Sequence, residues 1–452
     1  MSQPVAEKIS QLRSLVRLLV ESSEVVIKEW EAEAAQASEP NNTPDVPSPA
    51  LYEARRVILG ACGMCIDLVQ DPLLRLGEVV SSYFAAKCLN IAVQARVADI
   101  VAEADPQRGI SVEDIGRRTG INGRKLAQLL RCLSTIHIFS EIKGGYFVNT
   151  RTSEYMVANE SLCSWLLLQV AGGAVTEKLP AVLFDPVKTH SRSPRESAFQ
   201  EAYGTNSTLW EYLEEPVEQP DGTMGPRPAF DTWIGGMMAA GRAESSATYV
   251  DYPWHTLGSR TVIDVGGGLG GMSLELAKRY PDLKFVVQDR EAVIEKAELI
   301  WKQELPEALE AERVKFMRHD FFTQQPVKEA DVFILRHILH DWPDDECVTI
   351  LRHLRDAMRR DSRLLVADKV MQTTAGSPLL KSAPSPLPAN YGYAHHMGNI
   401  LAIGMLALFN GVERTPEEFS ALAENAGLRV VKIWECRGLA YVTEMRRNDY
   451  DG

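Results

Sequence analysis

The chain has 452 residues, 45% hydrophobic and 24% charged, the balance of a soluble globular protein too long for one ordinary core. Its formal net charge of −13 repels nucleic-acid phosphates and anionic lipid. No uninterrupted apolar run reaches the roughly 18–20 residues that span a bilayer, and MSQPVAEKIS has no basic head before an apolar core, so a cytoplasmic protein with no membrane association and no secretory signal is expected.

From the N-terminus, Val5, Ile9, Leu12, Val16, Leu19 and Val26 lie at helical spacing and predict a helix over 5–35, within a terminal segment 1–38. Such a stripe is covered by its own domain or by a partner subunit. Residues 39–50, EPNNTPDVPSPA, hold four prolines without periodicity and read as a linker. Residues 51–105 read as helical, with no breaker in the apolar run from Leu73 until Asp105-Pro106. Cys62 and Cys65 form a C-x-x-C in this stretch, but no second pair or histidine cluster follows at zinc spacing, so no metal is expected. The seven cysteines, scattered and odd in number, read as free thiols. Ser111 to Arg117 and Gly123 to Ser134 predict two helices around a turn, and Phe139 to Ile142 and Tyr146 to Asn149 two strands around Gly144-Gly145. That order is a winged helix. Arg117, Arg118, Arg124, Lys125 and Arg131 on it would suit DNA, but the acidity of the whole chain argues against nucleic acid.

Residues 161–245 read as a mostly helical connector with a loop at 214–227. From Thr261, short β-branched strands alternate with helices: TVIDV, KFVVQD, VKFMRHD, DVFILRHIL followed by a helix to Arg360, RLLVADKV, LRVVKIWEC and GLAYVTEMR. The alternation predicts an α/β domain over 246–452 with a mostly parallel, doubly wound sheet. Gln372 to Gly392 is rich in Pro, Ser and Ala and reads as a long loop.

After the first of these strands, VIDVGGGLGG places Gly266, Gly268 and Gly271 in a G-x-G-x-x-G turn, which by itself fits a dinucleotide as well as other nucleosides. Asp264 stands in front of the glycines; a carboxylate there repels a pyrophosphate and attracts an ammonium or sulfonium. Asp289, followed by Arg290, ends the second strand, where an acid suits ribose hydroxyls. Asp320 follows the third, placed for an adenine amino group. Three acids at successive strand ends, without a basic phosphate clamp, favour a cationic, phosphate-free nucleoside: S-adenosylmethionine. After the fourth strand comes Arg336-His337-Ile338-Leu339-His340-Asp341-Trp342. A histidine at this sheet edge can act as a general base on a phenol, whose own pKa is about 10. Such a base is oriented through its other ring nitrogen, and both Asp368 and Glu413 are candidates for that role.

The segment DVFILRHILHDWPDDEC resembles the signature of plant-type, metal-independent small-molecule O-methyltransferases. VIDVGGGLGG, Ala202-Tyr203-Gly204, FDTWIGGMM and NGVERTPEEF match in the same order, over roughly residues 80–445, and the long N-terminal helix and the 372–392 loop look more like fungal members. The resemblance implies a Rossmann-like S-adenosylmethionine-binding catalytic domain over 246–452. It also implies a winged-helix dimerisation domain over 51–160, a homodimer, and an acceptor pocket to which 161–245 contributes. It implies His340 as base, Asp368 and Glu413 as orienting acids, and Gly266, Asp289, Asp320, Phe321 and Arg336 around the donor, to which the turn and the strand ends add Asp264, Gly268 and Arg290 as candidates. Met238 and Asp341 would face a phenolic acceptor. From their own character, Met397 and Met405, with Met237, His395, His396, Asn399 and Phe409, either border its pocket or, at these helical spacings, belong to the core. Where the family often shows Glu and Lys, this chain has Asp368 and Arg336. Two other functions fit the same elements: a non-methylating reaction on this fold, and a non-enzymatic winged-helix regulator.

Overall fold

A computed structural model describes residues 4–36, 46–219, 222–230, 233, 235–236 and 246–450. The chain divides into two compact units: Met1–Val69 with Leu179–Asn206 and Gly241–Gly452, and Gln70–Lys178 with Ser207–Ala240.

The second unit holds the winged helix. Helices Val112–Thr119 and Gly123–Thr135 start on the side-chain caps of Ser111 and Asn122. Strands β1 (Ile110–Ser111), β2 (Phe139–Lys143) and β3 (Tyr146–Asn149) form an antiparallel sheet in the order β1-β3-β2. β1, two residues long, is too short to leave a pattern in the sequence. Ile115, Leu126, Leu130, Leu133, Phe139 and Phe147 close the core. The apolar run before it breaks, against expectation, between helices Pro72–Gln94 and Val97–Ala102, where Arg96 turns left-handed at φ 52°. The first of these helices exposes Leu73, Leu74, Leu76, Val80 and Phe84. The stretch Glu160–Leu183, 24 residues long, is also apolar enough to cross a membrane by length and composition. Its interior charges hide it from a search for an uninterrupted run, and only 18% of its most apolar window is buried. A short hairpin pairs β4 (Val217–Glu218) with β5 (Met224–Gly225).

The first unit is built on a seven-stranded sheet. Its strands are β6 (Thr261–Val265), β7 (Lys284–Asp289), β8 (Val314–Arg318), β9 (Ala330–Arg336), β10 (Met358–Asp368), β11 (Leu428–Glu435) and β12 (Tyr441–Arg447). The order is β11-β12-β10-β9-β6-β7-β8, parallel except for β12, which runs antiparallel to both neighbours. The inner strands are buried on both faces, which explains their unbroken apolar runs. Alternate residues feed opposite cores: Val262, Ile334 and Leu365 pack with Trp254 and Trp301, while Ile263, Phe333 and Leu335 pack with Leu351 and Phe419. β6 and β9 are neighbours although β7 and β8 intervene in sequence. Their carboxyl ends therefore flank the topological switch point, where α/β sheets bind ligands. Two predicted boundaries move. β9 ends at Arg336, because His337 is left-handed at φ 53°, and the helix expected to reach Arg360 stops at Arg355, giving its end to an 11-residue β10.

Two helices precede this sheet, α1 (Val5–Gln36) and α2 (Pro49–Val69), and α1 packs along α2. The predicted stripe of α1 is mostly the outer one: Val5, Ile9, Leu12 and Val16 are exposed, and the inner contact is made by Leu15 and Val26, flanked by Leu18, Leu19 and Val25. α1 carries two apolar faces, and periodicity cannot say which is covered. Leu15, Val57 and Ala61 share a small core with Leu387 and Tyr391 of the long loop. Within that loop Gln372 Nε2 donates to the carbonyls of Lys381 and Ala389, and Asn390 Nδ2 donates to that of Gln372. The Tyr391 hydroxyl donates to Glu53 of α2 at 2.6 Å.

Candidate active site

The glycine turn leaves β6 at Val265 and enters helix Gly271–Arg279. Gly266 is left-handed at φ 68°, and a Cβ there would sit 2.6 Å from Ile338 Cδ1 and 3.4 Å from Phe321 Cε1. Only glycine meets both demands. Over Gly268 a Cβ would meet nothing within 4 Å, so the backbone there is open to a ligand. Asp264 is buried beneath the turn and accepts a bond from Ser273 Oγ at 2.6 Å. Burial pushes its pKa up to about 6 against the opposing pull of Ser273 and Arg336. Its geometry is that of a brace for the turn, which a strand-end position in a sequence cannot distinguish from a ligand contact.

Asp289 ends β7 and accepts from the Gly268 N–H at 2.8 Å and the Arg290 N–H at 2.7 Å. Burial raises its pKa against these two bonds. The Arg290 side chain is exposed. Asp320 is exposed and accepts from the Phe322 N–H at 3.0 Å, a turn contact. Phe321 lies beside Gly266 and edge-on to Trp342, and Arg336 is half-buried at the end of β9.

His340 sits in a single helical turn, Leu339–Asp341, just beyond β9. Its Nδ1 meets Glu413 Oε1 at 3.0 Å, and its Nε2 lies 3.5 Å from Asp341 Oδ1. Both acids are buried. Burial opposes charge on the imidazole, but the charges of Glu413 and Asp341 and the hydrogen bond donated to Glu413 outweigh it, raising the pKa to about 9. Burial likewise raises Glu413, but the charge and hydrogen bond of His340 more than offset this and hold its pKa below the ordinary carboxylate value.

Asp368, the other candidate for orienting the ring, does not reach it. Its Oδ1 accepts the backbone N–H of His337 at 2.7 Å, and its Oδ2 is buried without a partner. Asp is one methylene shorter than Glu, and its short carboxylate fastens the left-handed His337 backbone. His337, His340 and Asp368 nonetheless bring ligand-type atoms within 4.8 Å of one another, a spacing a metal ion could use and one that the sequence did not suggest.

Three supporting residues left little trace in the sequence. Arg414, 2% exposed, donates to the carbonyls of Leu339 at 2.6 Å and Trp342 at 2.8 Å and to Asp344 at 2.9 Å, clamping the turn that carries His340. Lys369 is buried, with Nζ 3.8 Å from Glu413 Oε1; a lysine closing the apolar run of β10 was the available signal. At Gly411 a Cβ would lie 2.2 Å from the His340 carbonyl, and the next N–H, of Val412, donates to that carbonyl at 3.0 Å. Helix His396–Phe409 packs against the His340 turn. On it Met397 is 38% exposed, Met405 half-buried and Phe409 buried; His396 and Asn399 are exposed, and His395 just before it is half-buried. Met237 and Met238 lie outside the described residues.

Glu413→Gln gives a pH test of this geometry. Removing the charge that favours imidazolium lowers the His340 pKa, so the acidic limb of kcat/KM, which reports the free enzyme, is expected to move to lower pH. An unmoved limb would show that Glu413 does not set the proton affinity of His340. The coupling also stabilises the fold. This contribution is fully present below the unfolded imidazole value of about 6.5 and is lost as pH rises through about 9.

Residues 254–429 match the family model described as an O-methyltransferase domain, and residues 78–168 the one described as an O-methyltransferase dimerisation domain. The O-methyltransferase gedA of Aspergillus terreus is 39% identical over 97% of each chain. The O-methyltransferase tpcA of Aspergillus fumigatus is 39% identical over 96% of each. Among solved structures, CalO1, a methyltransferase in calicheamicin biosynthesis in its SAH-bound form, aligns with a TM-score of 0.63 at 26% identity, covering 84% of this chain and 99% of its own.

Proposed function

This chain belongs to the O-methyltransferase family, and on that premise we propose that it transfers the methyl group of S-adenosylmethionine to a phenolic hydroxyl of a small aromatic molecule, with His340 as general base. The observation that carries the reading is the His340–Glu413 pair, 3.0 Å apart, at the carboxyl end of β9 beside the open glycine turn of β6. S-adenosylmethionine supplies an electrophilic methyl group on a sulfonium. Gly268, with open space above it, and Asp289, tied to the turn, suit the nucleoside end of such a donor. The chain's own task is to free a lone pair on the acceptor oxygen. In the neutral form of the ring, whose share grows as pH rises toward about 9, His340 Nε2, on the edge away from Glu413, takes the phenol proton as the new C–O bond forms. Glu413 holds the ring in place and stabilises the imidazolium. Asp341, beside Nε2, faces the acceptor.

The winged helix suits subunit association better than DNA. Arg118 pairs with Glu103 and Arg131 with Glu141, while Arg117 pairs with Asp114. The exposed apolar side of helix Pro72–Gln94 is the kind of surface a second copy covers. Incubation with methyl-labelled donor and a panel of phenols is expected to give labelled ethers, and sedimentation to give about twice the chain mass of 50.2 kDa. Donor binding without transfer to any phenol would point to a different reaction on this fold; absence of donor binding would leave only a regulator. A monomer in sedimentation would overturn the homodimer.

A further inference from the structure

His337, three residues before His340, has no part in the mechanism above. Yet its backbone is left-handed at φ 53°, an unusual state for a non-glycine residue, and the buried Asp368 carboxylate holds its N–H at 2.7 Å. Its ring lies nearly parallel to that of His340, with centroids 5.4 Å apart and planes inclined by 25°. The two rings share a further relation: His340 turns Nδ1 to Glu413 at 3.0 Å, and His337 turns Nδ1 toward Asp368 Oδ1 at 3.9 Å. The two imidazoles thus stand side by side, each backed by an acid.

The His337 side chain is 25% exposed, yet its Nδ1 is buried without a hydrogen-bond partner. The exposed part of the ring is therefore the edge that carries Nε2, as on the working edge of His340. Burial, with the positive charges of Arg336 and Lys369, keeps this ring neutral. The carboxylate nearest the ring is Asp368, 3.9 Å from Nδ1, so the one proton is assigned to Nδ1 and Nε2 is left as an acceptor.

We infer that His337 Nε2 accepts a hydrogen bond from a second hydroxyl of the acceptor, so that the substrate class is a 1,3-dihydroxyarene. This rests on the methyltransferase reading and sharpens it. His340 takes the proton of the hydroxyl to be methylated, while His337 holds the other and decides which oxygen is presented. The ring centroids stand 5.4 Å apart, which leaves each ring room to meet its own oxygen on one arene when the two oxygens are set apart, as in a meta pair. His337 is in this scheme a positioning residue that touches substrate without taking its proton.

The test uses binding, so that it stands apart from turnover. Calorimetry on the full chain saturated with S-adenosylhomocysteine compares 1,3-dihydroxynaphthalene with 1-naphthol, which lacks the second hydroxyl and is smaller, so steric exclusion cannot explain weaker binding. The native protein is expected to prefer the dihydroxy compound by about fivefold to tenfold, the worth of one hydrogen bond. His337→Phe keeps a flat ring and removes the acceptor, and is expected to abolish the preference, read as the ratio of the two affinities within each protein. His337→Asn tolerates the left-handed backbone, offers a carbonyl, and is expected to restore part of it. Equal affinity for the two compounds in the native protein, including no binding of either, overturns the inference; so does a preference that survives in His337→Phe, or an equal or greater one for 1,2-dihydroxynaphthalene. Failure of the methyltransferase reading would appear separately, as no transfer of label to any phenol.

Discussion

His340→Ala is expected to lower kcat by roughly 10²–10⁴, the usual worth of a positioned base, while the dissociation constant of the donor changes little. The two effects separate because the ring touches Glu413 and Asp341, whereas the open backbone of the glycine turn belongs to the end of a different strand. The measurement is single-turnover methyl transfer beside donor titration of the same preparation. A variant that retains most of its turnover sinks the base assignment. One that loses donor affinity in proportion shows instead that His340 shapes the donor site. Alanine also leaves Glu413 buried beside Lys369 without its imidazole partner, so the variant's fold should be checked by its unfolding midpoint.

Arg414→Met is expected to destabilise the fold by about 2 kcal/mol, the scale for taking the charged donor from buried carbonyls that keep only the weak Cys347 thiol donor, and to cut kcat well beyond any change in donor affinity. Methionine fills much of the volume but offers nothing to the carbonyls of Leu339 and Trp342. Those carbonyls frame the turn that presents His340, so losing the clamp lets the base drift; a misplacement of about 1 Å can cost around a hundredfold in rate. Urea unfolding and steady-state kinetics on one preparation check both parts. Native stability together with native kcat would mean that the turn holds itself. Arg414→Lys separates charge from geometry, because an ammonium cannot span three acceptors as a guanidinium does.

The sheet was legible because strands covered on both faces leave unbroken apolar runs: KFVVQD is observed with the ends it shows in the sequence. Boundaries failed where one residue's backbone decided them. Neither the left-handed Arg96 nor the left-handed His337 differs in composition from a helical or extended neighbour. The candidate site was legible as a set of strand ends, since topology fixes those. It was less legible as a set of contacts. Asp264, Asp289, Asp320 and Asp368 all fall at carboxyl ends, yet Asp264 braces a turn, Asp368 fastens a backbone, and Asp320 caps a bend. What an acid touches depends on a few ångströms of side-chain reach. Arg414 escaped notice for a related reason: a buried arginine looks in sequence like a surface one until its acceptors are in place.

The small core shared by Leu15, Val57, Ala61, Leu387 and Tyr391 ties the terminal helix to the 372–392 loop. Neither can be inherited sensibly alone. A descendant that lost the terminal helix would leave Leu387 and Tyr391 wet, and one that trimmed the loop would strip the cover from Val57 and Ala61. Relatives are therefore expected to carry both stretches or neither, and one that kept a single stretch is expected to have polar side chains on its inner face.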